Sequence, residues 1–79
     1  MLRFTLISRE GCELCEEMHA ELERFCDGRA ASIEVVDVDS DPELARRYGL
    51  KVPVLLLDGE SIGYGRFDAG EVARLVRNR

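Results

Sequence analysis

Cys12 and Cys15 are the residues best equipped for chemistry in this sequence, because a thiolate is both nucleophile and leaving group in exchange with a disulfide. The pair sits where an apolar run, residues 2–7, gives way to a segment of helical period beginning at Glu13. A helix N-terminus presents unpaired N–H groups and partial positive charge, which lower a cysteine pKa from about 8.5 toward neutrality. Cys12, at the tip, is the expected nucleophile. Cys15, one turn on, is placed to attack a mixed disulfide on Cys12 and release the substrate as a thiol. Glu10 and Glu13 oppose the thiolate by Coulomb repulsion, so only a mild depression of the Cys12 pKa is expected.

Cys26 lies on the same predicted helix face as Cys15 but about 16 Å further along the axis, too far for a disulfide, and is expected to be a buried small hydrophobe. Three cysteines cannot form a complete disulfide framework. The same C-x-x-C spacing could supply half of a zinc or iron–sulfur site, with His19 on the Cys15 face of the helix. No second C-x-x-C follows, so a tetrahedral site would need Cys26 or a second subunit. Disulfide exchange is therefore the leading expectation and no metal ligand is assigned. A zinc or iron–sulfur carrier, and a non-enzymatic interaction module, are the alternatives.

The elements that must position the pair follow from periodicity and caps. Residues 2–7 predict a central strand, since the adjacent Leu6 and Ile7 call for burial on both faces. Cys15, Met18, Leu22, Phe25 and Cys26 recur at helical spacing, and Gly28 closes that helix or lies just past it. Ile33, Val35, Val36 and Val38, set against Glu34, Asp37 and Asp39, predict a second strand. Asp41 before Pro42 is an N-cap followed by proline at the first helical position, opening a short helix that ends at Gly49. Residues 54–57 and 61–64 predict a hairpin around Asp58-Gly59. Asp68 and Glu71 have the spacing of a capping box, and Ala69, Val72, Leu75 and Val76 line one side of a last helix. Val52-Pro53 precedes the third strand, where proline marks a strand start, or else a loop against the cysteine pair that leaves the Val52 backbone open to an extended substrate.

At 79 residues one domain over 1–79 is expected, with 46% apolar and 34% charged residues in the balance of a globular protein. The net charge of −5 argues against a phosphate-backbone binder. Acid gathers at Glu10, Glu13, Glu16, Glu17, Glu21 and Glu23, whereas Arg66, Arg74, Arg77 and Arg79 make the C-terminal end basic. No stretch approaches the roughly 20 apolar residues of a membrane span, and Ser8, Arg9 and Glu10 interrupt any signal-peptide core; a cytoplasmic location is expected.

Ser8-Arg9-Glu10-Gly11-Cys12-Glu13-Leu14-Cys15 resembles the glutaredoxin segment in which Ser-Lys-x-x precedes C-P-x-C. Gly49-Leu50-Lys51-Val52-Pro53, followed by an apolar strand and Asp58-Gly59, resembles the cis-proline loop and hairpin of the same family. The resemblance implies an α/β thioredoxin-like fold, βαβαββα, with a four-stranded mixed sheet and helices on both faces. It implies Cys12 as attacking and Cys15 as resolving thiol, Pro53 as a cis residue and Val52 as backbone partner of substrate. Arg9 stands where glutaredoxins keep a lysine that meets a glutathione carboxylate.

Two departures bear on the substrate. Glu13 replaces the proline of C-P-x-C, and Gly63-Tyr64-Gly65-Arg66-Phe67-Asp68 is closer to the Ser-Gly-Phe-Arg-Pro-Asp of redoxins that serve ribonucleotide reductase and draw electrons from thioredoxin reductase. Arg66 and Asp68 thereby join the candidate substrate-binding residues. The Glu13-Leu14 spacer also resembles a subgroup of short glutaredoxin-like proteins with a C-x-L-C core. What these resemblances imply is a thiol–disulfide oxidoreductase for protein or glutathione mixed disulfides; a monomer is expected. No cofactor would be tightly bound, and glutathione or a reductase such as thioredoxin reductase would supply electrons.

Overall fold

Leu6 and Ile7 are both at most 2% exposed although they are neighbours on one strand, so their side chains, which alternate across the sheet, enter two different cores. Leu6 packs with Phe4, Met18, Leu22, Leu55, Leu57 and Val72, whereas Ile7 packs with Val38 and Val54 beneath Leu44 and Tyr48. The strand that serves both cores must be interior.

The structure, a computed structural model, describes residues 1–78; Arg79, counted above in the basic C-terminal end, lies outside the described residues. Its elements run β1 (Leu2–Ser8), α1 (Glu13–Cys26), β2 (Ala31–Asp37), a 3-10 turn (Val38–Ser40), α2 (Pro42–Tyr48), β3 (Val54–Leu57), β4 (Glu60–Tyr64) and α3 (Ala69–Arg77). The four strands form one mixed sheet in the order β2-β1-β3-β4. β1 runs parallel to β2 and antiparallel to β3, which in turn is antiparallel to β4. Met18 and Leu22 of α1 and Val72 of α3 cover one face; Leu44 and Tyr48 of α2 cover the other. This is the α/β thioredoxin-like architecture expected, with helices on both faces.

Local chemistry sets the boundaries. Asp41 accepts the Glu43 N–H at 2.9 Å and Pro42 takes the first helical position of α2. Asp58 and Gly59 both have positive φ, 51° and 86°, the conformation a two-residue hairpin turn requires, and Leu57 pairs with Glu60 across it. The β3–β4 ladder slips between Leu55 and Leu56, which leaves Ile62 as the extra residue of a bulge packed against the α1 and α3 core.

Three details depart from the sequence reading. β2 ends at Asp37, and Val38 belongs to the 3-10 turn; the Asp37 carboxylate accepts the Asp39 N–H at 2.9 Å and curls the chain, driving Val38 into the second core at 0% exposure. Only half of the capping box forms: Asp68 accepts the Glu71 N–H at 3.1 Å, while the Glu71 carboxylate turns to Arg74. Cys26 is half-buried at the edge of the first core, not sealed within it.

Candidate functional site

Register brings three loops to one end of the sheet. Ile7, near the end of β1, pairs with Val54, the first residue of β3, and Val54 pairs on its other side with Tyr64, the last residue of β4. The loop 9–12 that leaves β1, the loop 50–53 that enters β3 and the loop 65–68 that leaves β4 must therefore emerge together. Of the seven residues expected to carry catalysis or bind substrate, all but Cys15 lie in these loops, and Cys15 sits in the first turn of α1.

Cys12 is the N-cap of α1, with extended backbone at φ −96° and ψ 110°. Gly11 at φ +75° makes the turn before it, and the Cys12 N–H donates to the Arg9 carbonyl at 3.3 Å. Its Sγ accepts the Cys15 N–H at 3.2 Å, so a backbone donor of the first helical turn points at the sulfur. The Cys12 and Cys15 sulfurs are bridged, with Cα atoms 5.2 Å apart. Cys15 is 2% exposed and Cys12 half-buried, so the bridge offers one accessible sulfur to a second molecule. Glu10 and Glu13 are both exposed to solvent, which weakens their field at Cys12.

The Val52–Pro53 peptide bond is cis, and Pro53 is fully buried. The Pro53 carbonyl accepts the Gly65 N–H at 2.8 Å, which ties the second loop to the third. Among the described residues the Val52 N–H and C=O have no hydrogen-bond partner, so both remain open to a strand-like ligand. Arg66 is exposed and, with Leu14, Glu17, Met18, Glu21, Gly65 and Phe67, lines a cavity of about 170 Å³ between α1 and the third loop. Phe25 and Phe67 stack edge-on at 5.9 Å and hold that loop against the helix. Asp68 is exposed and serves α3 as its cap. Arg9 points away from its own loop, hydrogen-bonding the Asp39 carboxylate and the Gly49 carbonyl.

The sequence reading missed Asp39 and Gly49 as partners of Arg9. A cation beside a thiol loop calls for a counterion, but Asp39 falls in a predicted strand and Gly49 at a predicted helix stop, and neither local pattern names Arg9. His19 contacts Glu23 at 3.8 Å, and among the described residues no three His, Cys, Asp or Glu side chains converge as metal ligands.

Residues 3–77 match the family described as Glutaredoxin-like domain (DUF836). The chain belongs to that glutaredoxin-like family. Among solved structures, protein Ne2328 from Nitrosomonas europaea is 29% identical with a TM-score of 0.84, over 94% of this chain and 89% of its own. A structural-genomics target from X. campestris is 30% identical with a TM-score of 0.74, over 96% of this chain and 97% of its own. A mutant thioredoxin from Halobacterium salinarum is 26% identical with a TM-score of 0.69, over 98% of this chain and 73% of its own. A glutaredoxin-like chain with the thioredoxin-like fold and its cysteine pair at a helix start has the parts for redox chemistry.

Proposed function

We propose that this glutaredoxin-like protein is a thiol–disulfide oxidoreductase that reduces protein disulfides or glutathione mixed disulfides. The observation that carries the reading is the Cys12 sulfur at the N-cap of α1, facing the Cys15 N–H, with Cys15 buried behind it. In the reduced protein the Cys12 thiolate attacks one sulfur of the substrate disulfide and the other sulfur leaves as a thiolate. Cys15 then loses its proton and attacks Cys12, releasing the second substrate thiolate and leaving the Cys12–Cys15 bridge. Each turnover moves two electrons and closes when glutathione or a reductase such as thioredoxin reductase reopens the bridge.

Val52 offers its free N–H and C=O to the substrate backbone beside Pro53, and Arg66 and Asp68 border the same opening. No permanently held cofactor takes part in this scheme, and a monomer suffices because every named group lies on one chain. A reducing compartment such as the cytoplasm suits a pair that must be reopened after each turnover. No helix is long and apolar enough to cross a membrane among the described residues.

A redox titration in glutathione buffers, following both thiols by mass spectrometry, tests this. A reversible two-electron couple between about −180 and −280 mV is expected. A pair that never oxidises, or that stays locked as a disulfide, would overturn it.

A further inference from the structure

Resemblance would aim Arg9 at a glutathione carboxylate, yet its guanidinium is tied to this chain's own fold. Nε and Nη2 donate to the two oxygens of Asp39 at 3.0 and 3.1 Å, and Nη1 donates to the Gly49 carbonyl at 2.9 Å. Two parallel bonds to one carboxylate are the geometry an arginine fork is built for. The acceptors belong to different elements: Asp39 lies in the 3-10 turn after β2, and Gly49 ends α2 just before the 50–53 loop. Asp39 is itself braced by its N–H bond to Asp37, and a Cβ at the buried Gly49 would collide with the Ala45 carbonyl oxygen. Arg9 also reaches the nucleophile, because its own carbonyl accepts the Cys12 N–H at 3.3 Å.

We propose that Arg9 is a positioning residue that acts through Asp39 and Gly49, locking the Cys12 loop to the chain entering the Val52–Pro53 loop. This rests on the oxidoreductase reading above and deepens it. Arg9 then serves every disulfide alike, instead of selecting glutathione. An attacking sulfur and a substrate held by the Val52 backbone must meet within a fraction of an ångström, and misplacement by about 1 Å can cost on the order of a hundredfold in rate. Lysine could keep the charge but not the simultaneous grip on both Asp39 oxygens and the Gly49 carbonyl.

The test compares Arg9→Gln, Asp39→Asn, the double variant and Arg9→Lys, with dithiothreitol as reductant and two substrates, a glutathionylated peptide and insulin. Positioning predicts that Arg9→Gln and Asp39→Asn each lower kcat by roughly tenfold on both substrates with KM little changed. The double variant should be no worse than Arg9→Gln alone, since that substitution already removes the bonds to Asp39 as well as the one to Gly49, and Arg9→Lys should recover part of the loss. A rise in KM confined to the glutathionylated peptide, with Asp39→Asn near the parent protein, would overturn the proposal; so would additive losses. Should Arg9→Gln fail to fold by circular dichroism, Arg9→Lys and Asp39→Asn carry the same comparison. Amide hydrogen exchange at Cys12 reads the clamp without turnover: faster exchange in Asp39→Asn supports it and unchanged exchange refutes it. A parent protein that reduces neither substrate would instead sink the oxidoreductase reading.

Discussion

At the residue scale the two bridged cysteines differ in access, and roles follow from that difference. With Cys15 2% exposed, only Cys12 can begin an exchange with a second molecule. Cys12→Ser should abolish reduction of every disulfide, while Cys15→Ser should still release glutathione from a mixed disulfide by a monothiol route, as an assay with glutathionylated peptide would show; equal residual activity in both variants would contradict the assignment. In the reduced protein Cys12 should ionise more readily than an ordinary thiol, because the helix start favours the thiolate. Cys26 behaves oppositely. Burial pushes its thiol up and the nearby Arg29 only partly offsets this, so its charged form is disfavoured throughout the neutral range. Alkylation near neutral pH, followed by mass spectrometry, should therefore label Cys12 well before Cys26.

At the element scale each helix around the site carries its own start signal, and these signals were readable because capping acts within three residues. The Asp68 cap on α3 is a local bond of 3.1 Å, so Asp68→Ala should cost about 1 kcal/mol in urea denaturation. A loss of activity much larger than that stability change predicts would assign Asp68 a part in binding as well. The failures at this scale were equally local. Val38 carries the branched side chain of a strand residue, but the Asp37 carboxylate offered the backbone a competing bond that ended the strand one residue earlier. Glu71 had the spacing for a reciprocal cap, yet Arg74 on the next turn drew its carboxylate away.

At the scale of the whole molecule, charge connects stability and encounter. The Arg9 hydrogen bond holds the Asp39 carboxyl below its ordinary value of 3.8, so the folded state prefers the ionised form. A lowered folded pKa means the stabilisation is present above the unfolded value and disappears as pH falls through the folded one. Asp39→Asn should thus reduce stability at neutral pH and make little difference in strong acid, as denaturation at both ends of the range will show. The pair is part-exposed, so the effect should be modest. Around the opening, Glu10, Glu13, Glu16 and Glu17 are all exposed, whereas Arg74 at the far end is paired with Glu71. A substrate with a basic surface should meet this face faster at low ionic strength, and turnover of such a substrate should fall as salt is raised. A salt-independent rate would show that the acidic helix plays no part in encounter.

Sequence alone was enough for the order of helices and strands, the Asp41 and Asp68 helix caps, the Asp58-Gly59 hairpin and the cysteine pair at a helix start. Each of these depends on residues within a few positions of one another, where period, turn chemistry and capping speak directly. Tertiary structure alone decided what faces what. Arg9 finds Asp39 30 residues away and Gly49 40 residues away, and no local pattern encodes a partner at that distance. Likewise, the loops 9–12, 50–53 and 65–68 share one opening only because the register of β1, β3 and β4 aligns Ile7, Val54 and Tyr64. The thiol chemistry was legible in two residues; the frame that aims it exists only once the sheet has closed.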